Sequence, residues 1–313
     1  MRNPAGHFLF REVIVYQYPK EYLTISQLTK KLEDSGMIIL PEDDVYKILS
    51  IIGYYRLKGY SYHLLDSTSH TYKPGTYLSN ILKLYSFDRE LSKLLFDFSS
   101  QIEVSLRARL INAFQHTNDP LILNDASVFQ DKTLYWKNFS SISLEIERSK
   151  DVFISHNFKK YEGLVPVWAV IEILSFGTLS KIIKNLKTGP DSVFSTLVQD
   201  YKFEGNNGTV SPSKKMFSSW IYSVSILRNI CAHNGRLYNR TIDTKPQLVL
   251  SDILDPAPRY YGLYQVMLAM KYLRPSDSAW KHFIGDFKNT LISYSKYCEI
   301  ERLGFPEDWE EHL

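Results

Sequence analysis

Between Leu78 and His116 the chain runs for nearly forty residues without a proline or a glycine. Apolar side chains recur there at three- and four-residue steps: Ile81, Leu84, Tyr85, Leu91, Leu94, Leu95, Phe98, Ile102, Leu106, Leu110 and Phe114. That spacing predicts one long amphipathic helix, whose apolar stripe only other elements of the same chain can cover. Glu103 and Arg107 stand four apart within it, in the favourable order for an ion pair on one helix face. A structural pair is the preferred reading, with support of a site on a neighbouring helix as the alternative.

The covering elements read as helices too. In TISQLTKKLEDSG, Thr24 and Gln27 have the spacing of a capping box, and Gly36 stands where a C-cap is wanted. A second helix is expected to restart at Pro41, with acidic residues in its first turn. Turn chemistry at Tyr72 to Gly75 closes this unit. Residues 117–160 read as a looser polar stretch. Pro166 opens a helix that breaks around Gly177, and another follows, capped by Thr178 or Ser180. The segment from Gly189 to Ser213 reads as loop-rich. Residues 214–233 are helical, with Met216, Trp220, Val224, Leu227 and Cys231 on one stripe. Two more helices are expected over Tyr260–Leu273 and Ser276–Leu303. Period-two alternation is confined to VIVY (13–16) and QLVLSD (247–252). The fold class is therefore all-α, with an N-terminal helical unit at 1–75 and a helical domain at 76–313.

Several function classes fall away at this point. There is no phosphate-binding loop, no dinucleotide fingerprint, no nucleophile elbow, no HExxH and no CxxC. The expectation is accordingly no metal and no cofactor. Two cysteines, Cys231 and Cys298, read as buried free thiols in a reducing cytoplasm. The N-terminus lacks a signal-peptide layout and no apolar run approaches bilayer length, so no membrane is expected. A net charge of +3 permits nucleic-acid binding through a local patch without arguing for it.

The polar density that remains is in SILRNICAHNGRLYNR (225–240). Arg228 and His233 are five residues apart, about 140° on a helix, so one helix does not direct both side chains to one spot. A groove between two copies of the helix collects both. The chemistry available to it is metal-free RNA cleavage: imidazole takes the 2′-hydroxyl proton or donates one to the leaving oxygen, and guanidinium stabilises the charge at phosphorus. Asn229 and Asn234 are suited to orient imidazole or phosphate. Against this stands a bland reading, a helix C-terminus capped by His-Asn-Gly. Arg56 to His63 and Arg109 to His116 have similar spacings but lack the polar company.

Across LTISQLTKKLEDSGMII, IIGYYRLKGYSYHL, LYSFDRELSKLLFDFSSQIEVSLRARL, VPVWAVIEILSFGTLSKIIKNL, LRNICAHNGRLYNR and GFPEDW, the chain resembles the Abi-like (abortive-infection, AbiD/AbiF type) family. That family looks like a branch of the HEPN superfamily. The resemblance implies a HEPN-like helical bundle and a phage-defence role. It also implies a ribonuclease motif of Arg, four to six residues and His, here Arg228, Asn229 and His233. HEPN ribonucleases join two motifs at a dimer interface, which implies a homodimer. The family's association with small structured RNAs makes noncoding RNA an expected partner. For RNA contacts the interleaved basic and aromatic residues Tyr54, Tyr55, Arg56, Lys58 and Tyr60 are the candidates, with Arg236; the bland alternative is a packed connection. The alternative function is a noncatalytic protein that sequesters or scaffolds a small RNA.

Overall fold

The computed structural model describes residues 19–205, 208–252 and 262–313. In chain order its helices are α1 (Ile25–Asp34), α2 (Val45–Ile51), α3 (Tyr54–Ser61), α4 (Leu78–Phe114), α5 (Lys132–Arg148), α6 (Val152–Lys160), α7 (Val167–Ile173), α8 (Phe176–Asn185) and α9 (Val193–Leu197). A small hairpin follows, β1 (Phe203–Gly205) antiparallel to β2 (Gly208–Val210), with Phe203 opposite Val210. Then come α10 (Lys214–Ala232), α11 (Leu263–Leu273), α12 (Asp277–Tyr294) and α13 (Trp309–His312). Among the described residues the fold is all-α apart from this hairpin.

α4 is the axis. Its 37 residues extend over about 55 Å; the expected stripe is buried except at the half-buried Tyr85 and Leu94, and Leu78 and Phe87 join it. Helices α3, α7, α9, α10, α11 and α12 all lie against it. Each fully buried Leu or Phe on the stripe contributes about 2 kcal/mol from apolar area. The N-terminal helices share this core: Leu32, Leu57 and Tyr60 are buried in one apolar cluster with Leu84 and Phe87.

α10 is the second organising helix, packed against α4, α8 and α11. Ser213 caps its start by accepting the Met216 amide. Trp220 is buried, stacks on Tyr272 of α11 at 4.9 Å and donates its indole N–H to the Gln247 carbonyl. The α10–α11 junction is thus fixed by shape and by one satisfied polar group.

Several sequence expectations need correction. The 117–160 stretch carries α5 and α6; Asp131 caps α5 by accepting the Leu134 amide. α2 begins at Val45 rather than Pro41, because Asp43 accepts the Leu40 amide in a turn and Asp44 serves as the cap. Ser175, not Thr178 or Ser180, caps α8. The helix expected over Ser276–Leu303 stops at Tyr294, and turns lead to Leu303. QLVLSD forms no strand; it ends in a single 3-10 turn at Leu250–Asp252. VIVY, Tyr260, Pro256 and Pro258 lie outside the described residues. The capping box is present as expected, with Thr24 accepting the Gln27 amide and Gln27 accepting the Thr24 amide.

Candidate functional site at the end of α10

The C-terminus of α10 closes as a Schellman turn. The Gly235 amide donates to the Ile230 carbonyl at 2.7 Å and the Asn234 amide to the Cys231 carbonyl at 3.1 Å. Asn234 takes the left-handed conformation at φ 54°, which asparagine tolerates better than most residues. Gly235 is required for closeness: a Cβ there would come within 2.9 Å of the Ile230 side chain. The bland cap reading is therefore right for Asn234 and Gly235. It leaves Arg228 and His233 unexplained.

Arg228 turns back toward α4. Its Nη2 lies 3.3 Å from Glu103 Oε2, its Nη1 donates to Asn229 Oδ1 at 3.2 Å, and its guanidinium carbon sits 5.9 Å from the Phe96 ring centroid. Glu103 is buried and also accepts from Arg107 Nη2 at 2.5 Å; the same Nη2 donates to the Leu174 carbonyl. One carboxylate thus serves two guanidinium groups: Glu103 forms the expected structural pair with Arg107 and also contacts Arg228 on the neighbouring helix. Arg228 remains partly open, at 30% side-chain exposure, with its Nε buried and unpartnered among the described residues. The C-cap residue His233 is exposed, and its imidazole makes no hydrogen bond among the described residues. The exposed Asn229 completes the group.

The turn that carries His233 is pinned from two other helices. Arg56 of α3 donates Nη1 to the Asn234 carbonyl at 2.7 Å, and Arg89 of α4 donates to the Asn234 side-chain oxygen. Arg236 donates in return to the Gly59 carbonyl at 2.6 Å. Below them the buried Asp88 accepts the Tyr238 amide at 2.7 Å, the Leu237 amide, and the Tyr60 hydroxyl at 2.7 Å. Burial pushes the Asp88 carboxyl above its ordinary range, with those three donors and Arg236 acting against the shift.

α3 therefore stands directly beside the end of α10, although the Arg56–Asn234 and Arg236–Gly59 bonds that join them span 178 and 177 residues of sequence. Of the residues expected to meet RNA, Tyr55 and Arg56 are exposed, while Tyr54, Lys58 and Arg236 are half-buried. Tyr54 and Tyr55 meet edge to face at 5.7 Å. Tyr60 is the correction: it is 1% exposed, with its hydroxyl on Asp88, and offers no face to a base. Asp88, Arg89 and Phe96 were not anticipated. The signal for Asp88 was a carboxylate in register with the buried stripe, one residue after Phe87; nothing local points to its partners at 237 and 238.

Among the described residues no three His, Cys, Asp or Glu side chains are grouped to hold a metal ion, and no helix is long and apolar enough to cross a membrane. Cys231 is buried, and burial pushes its thiol up to about 11; the half-buried Cys298 thiol is likewise pushed to about 11. Neither is a reactive thiolate. A family model described as Abi-like protein matches residues 47–239, a span that takes in α3, α4 and the whole of the α10 turn. No curated protein and no solved structure is detectably similar to the chain.

Proposed function

Because the chain belongs to the Abi-like family of abortive-infection, phage-defence proteins, we propose that it is a HEPN-type RNA-binding protein and a metal-independent endoribonuclease. The observation that carries this reading is the pairing at the end of α10: an Arg228 guanidinium held by Glu103 and Asn229, and a free His233 imidazole five residues on. Glu103 and Asn229 fix the donors of Arg228 before a substrate arrives, so charge developing at phosphorus meets a preorganised cation. His233 moves the proton, as base toward the 2′-hydroxyl or as acid toward the leaving oxygen. Tyr55, Arg56 and Arg236 beside the turn supply stacking and phosphate contacts.

The geometry also favours a homodimer. Taking one proton and giving another in a single step needs two proton-carrying groups, and this turn carries one imidazole. On α4, Phe96 beside Arg228 and Val104 next to Glu103 are exposed apolar side chains, 39% and 62% accessible, about 80° apart around the helix. A second copy seated against that face brings its own Arg228 and His233 to the first.

Incubation of the purified chain with RNA in EDTA tests this, with molecular mass read by light scattering. Arg228→Ala and His233→Ala are each expected to lower the cleavage rate about 100-fold or more, with the dimer mass, the melting profile and RNA affinity retained. Tight RNA binding without cleavage by the wild-type chain would replace catalysis with the sequestering role. A monomer that cleaves at full rate would remove the composite site.

A further inference from the structure

A groove of about 950 Å³ runs along the opposite flank of α10, walled by α8, the first turns of α5 and α10 itself, and it ends at Asn229. Its rim carries Lys181 and Lys184 of α8 and Lys215 of α10. All three are exposed and without an ion pair among the described residues. A fourth lysine, Lys214, is engaged inside the wall, donating to Gln130 Oε1 at 2.7 Å and to the Leu186 carbonyl. The one acidic lining residue, Asp131, already caps α5. The groove is therefore cationic at its edge. Its interior is more apolar, and Tyr222 stands in it half exposed. The buried Ser218 lines the same wall with a hydroxyl that has no partner among the described residues.

From these features we infer that the groove is the track for a single-stranded segment of RNA, delivering the scissile phosphate to Asn229 and Arg228. The inference rests on the ribonuclease reading above and names its substrate class. Unpaired lysines along an apolar floor suit a phosphate backbone that follows the rim while bases turn inward. The exposed Tyr222 ring offers a stacking face that only an unstacked base can reach; a duplex keeps its bases on one another. From Lys214 to Asn229 the wall spans about 22 Å, enough for a few nucleotides. A second copy is the poorer occupant, because an isologous contact would set the same three lysines against themselves. No residue of α4 lines this groove, so the face with Phe96 and Val104 is no part of it.

Fluorescence anisotropy with a labelled oligouridine of about twelve nucleotides, and with an RNA duplex of similar length, tests the track across a salt series. The wild-type chain is expected to bind the single strand more tightly than the duplex. The combined Lys181→Ala, Lys184→Ala and Lys215→Ala variant should lose about 30-fold in affinity and flatten the log–log salt slope by about 2. Tyr222→Ala should lose about 10-fold and Tyr222→Phe little, as a stacking role requires. Unchanged affinity and salt slope in the lysine variant, with RNA still bound, would overturn the track and leave the ribonuclease reading intact. Equal or tighter duplex binding would overturn the single-strand assignment. A wild type that binds neither RNA would sink both readings. Dissociation of the dimer by the lysine variant, with RNA affinity unchanged, would give the groove to a second copy.

Discussion

α4 buries two carboxylates, Asp88 and Glu103, about four turns apart, and they are compensated in opposite ways. Asp88 faces dipoles: two backbone amides and the Tyr60 hydroxyl. Glu103 faces charges, the guanidinium groups of Arg107 and Arg228. Dipoles are satisfied by any acceptor of the right shape, so the Asp88 arrangement fixes where a loop lies. Guanidinium groups left without a counter-charge are costly in a half-buried setting, so the Glu103 arrangement fixes what stands there electrically. The first holds the turn beneath His233; the second holds the cation beside it.

The widest gap should come from truncation on the dipole side. Asp88→Ala strands three buried donors and is expected to cost about 4 kcal/mol, read as a fall in the urea midpoint. Shape-preserving changes then separate the two. Asp88→Asn keeps an acceptor for both amides and presents an amide nitrogen to Tyr60 Oη. With a carboxyl already raised by burial, the position should tolerate the neutral group, at a cost of about 1 kcal/mol or less. Glu103→Gln keeps the shape but removes the charge between two arginines. It is expected to cost about 2 kcal/mol, discounted for the partial exposure of Arg228, and to slow RNA cleavage while Asp88→Asn does not. Equal costs for the two conservative changes would erase the distinction.

The last contrast is a pH dependence on the Asp88 side. His63 meets Tyr238 edge to face at 5.7 Å. Burial, with Arg302 adding to it, lowers its imidazole to about 4. The unfolded chain then binds more protons than the folded one between pH 4 and about 6.5. The His63 contribution to stability should rise with pH across that window and flatten above it, opposed at the acid end by Asp88, whose raised carboxyl makes the folded chain hold the extra proton. His63→Gln should reduce this slope in urea midpoints measured from pH 4 to 7; an unchanged slope would show that other groups set it.

What could be read in advance was what repeats or closes locally. The long α4 stripe, the Thr24–Gln27 box and the apolar face of α10 are short-range patterns, and each is present. α5 was hidden because Leu134, Trp136 and Leu144 are exposed while only Tyr135, Asn138 and Ile142 are buried; that mixture blurs the stripe, although Asp131 was a usable start signal. At the site, the separation of Arg228 from His233 follows from helix geometry. The roles of Tyr60 and Glu103 do not, because each is decided by a partner more than twenty-five residues away, Asp88 in one case and Arg228 in the other.

The turn at Asn234 also works as a gauge. Its left-handed residue and the close approach of Gly235 to Ile230 fix where α10 stops, so the interval back to Arg228 is counted from the cap. Inserting one residue between Arg228 and the cap would turn Arg228 by about 100° relative to it. Either Arg228 would leave Glu103 or the turn would leave its anchors Arg56, Arg89 and Asp88. The five-residue step is thus a mechanical tolerance of the fold, set by where a helix is made to end.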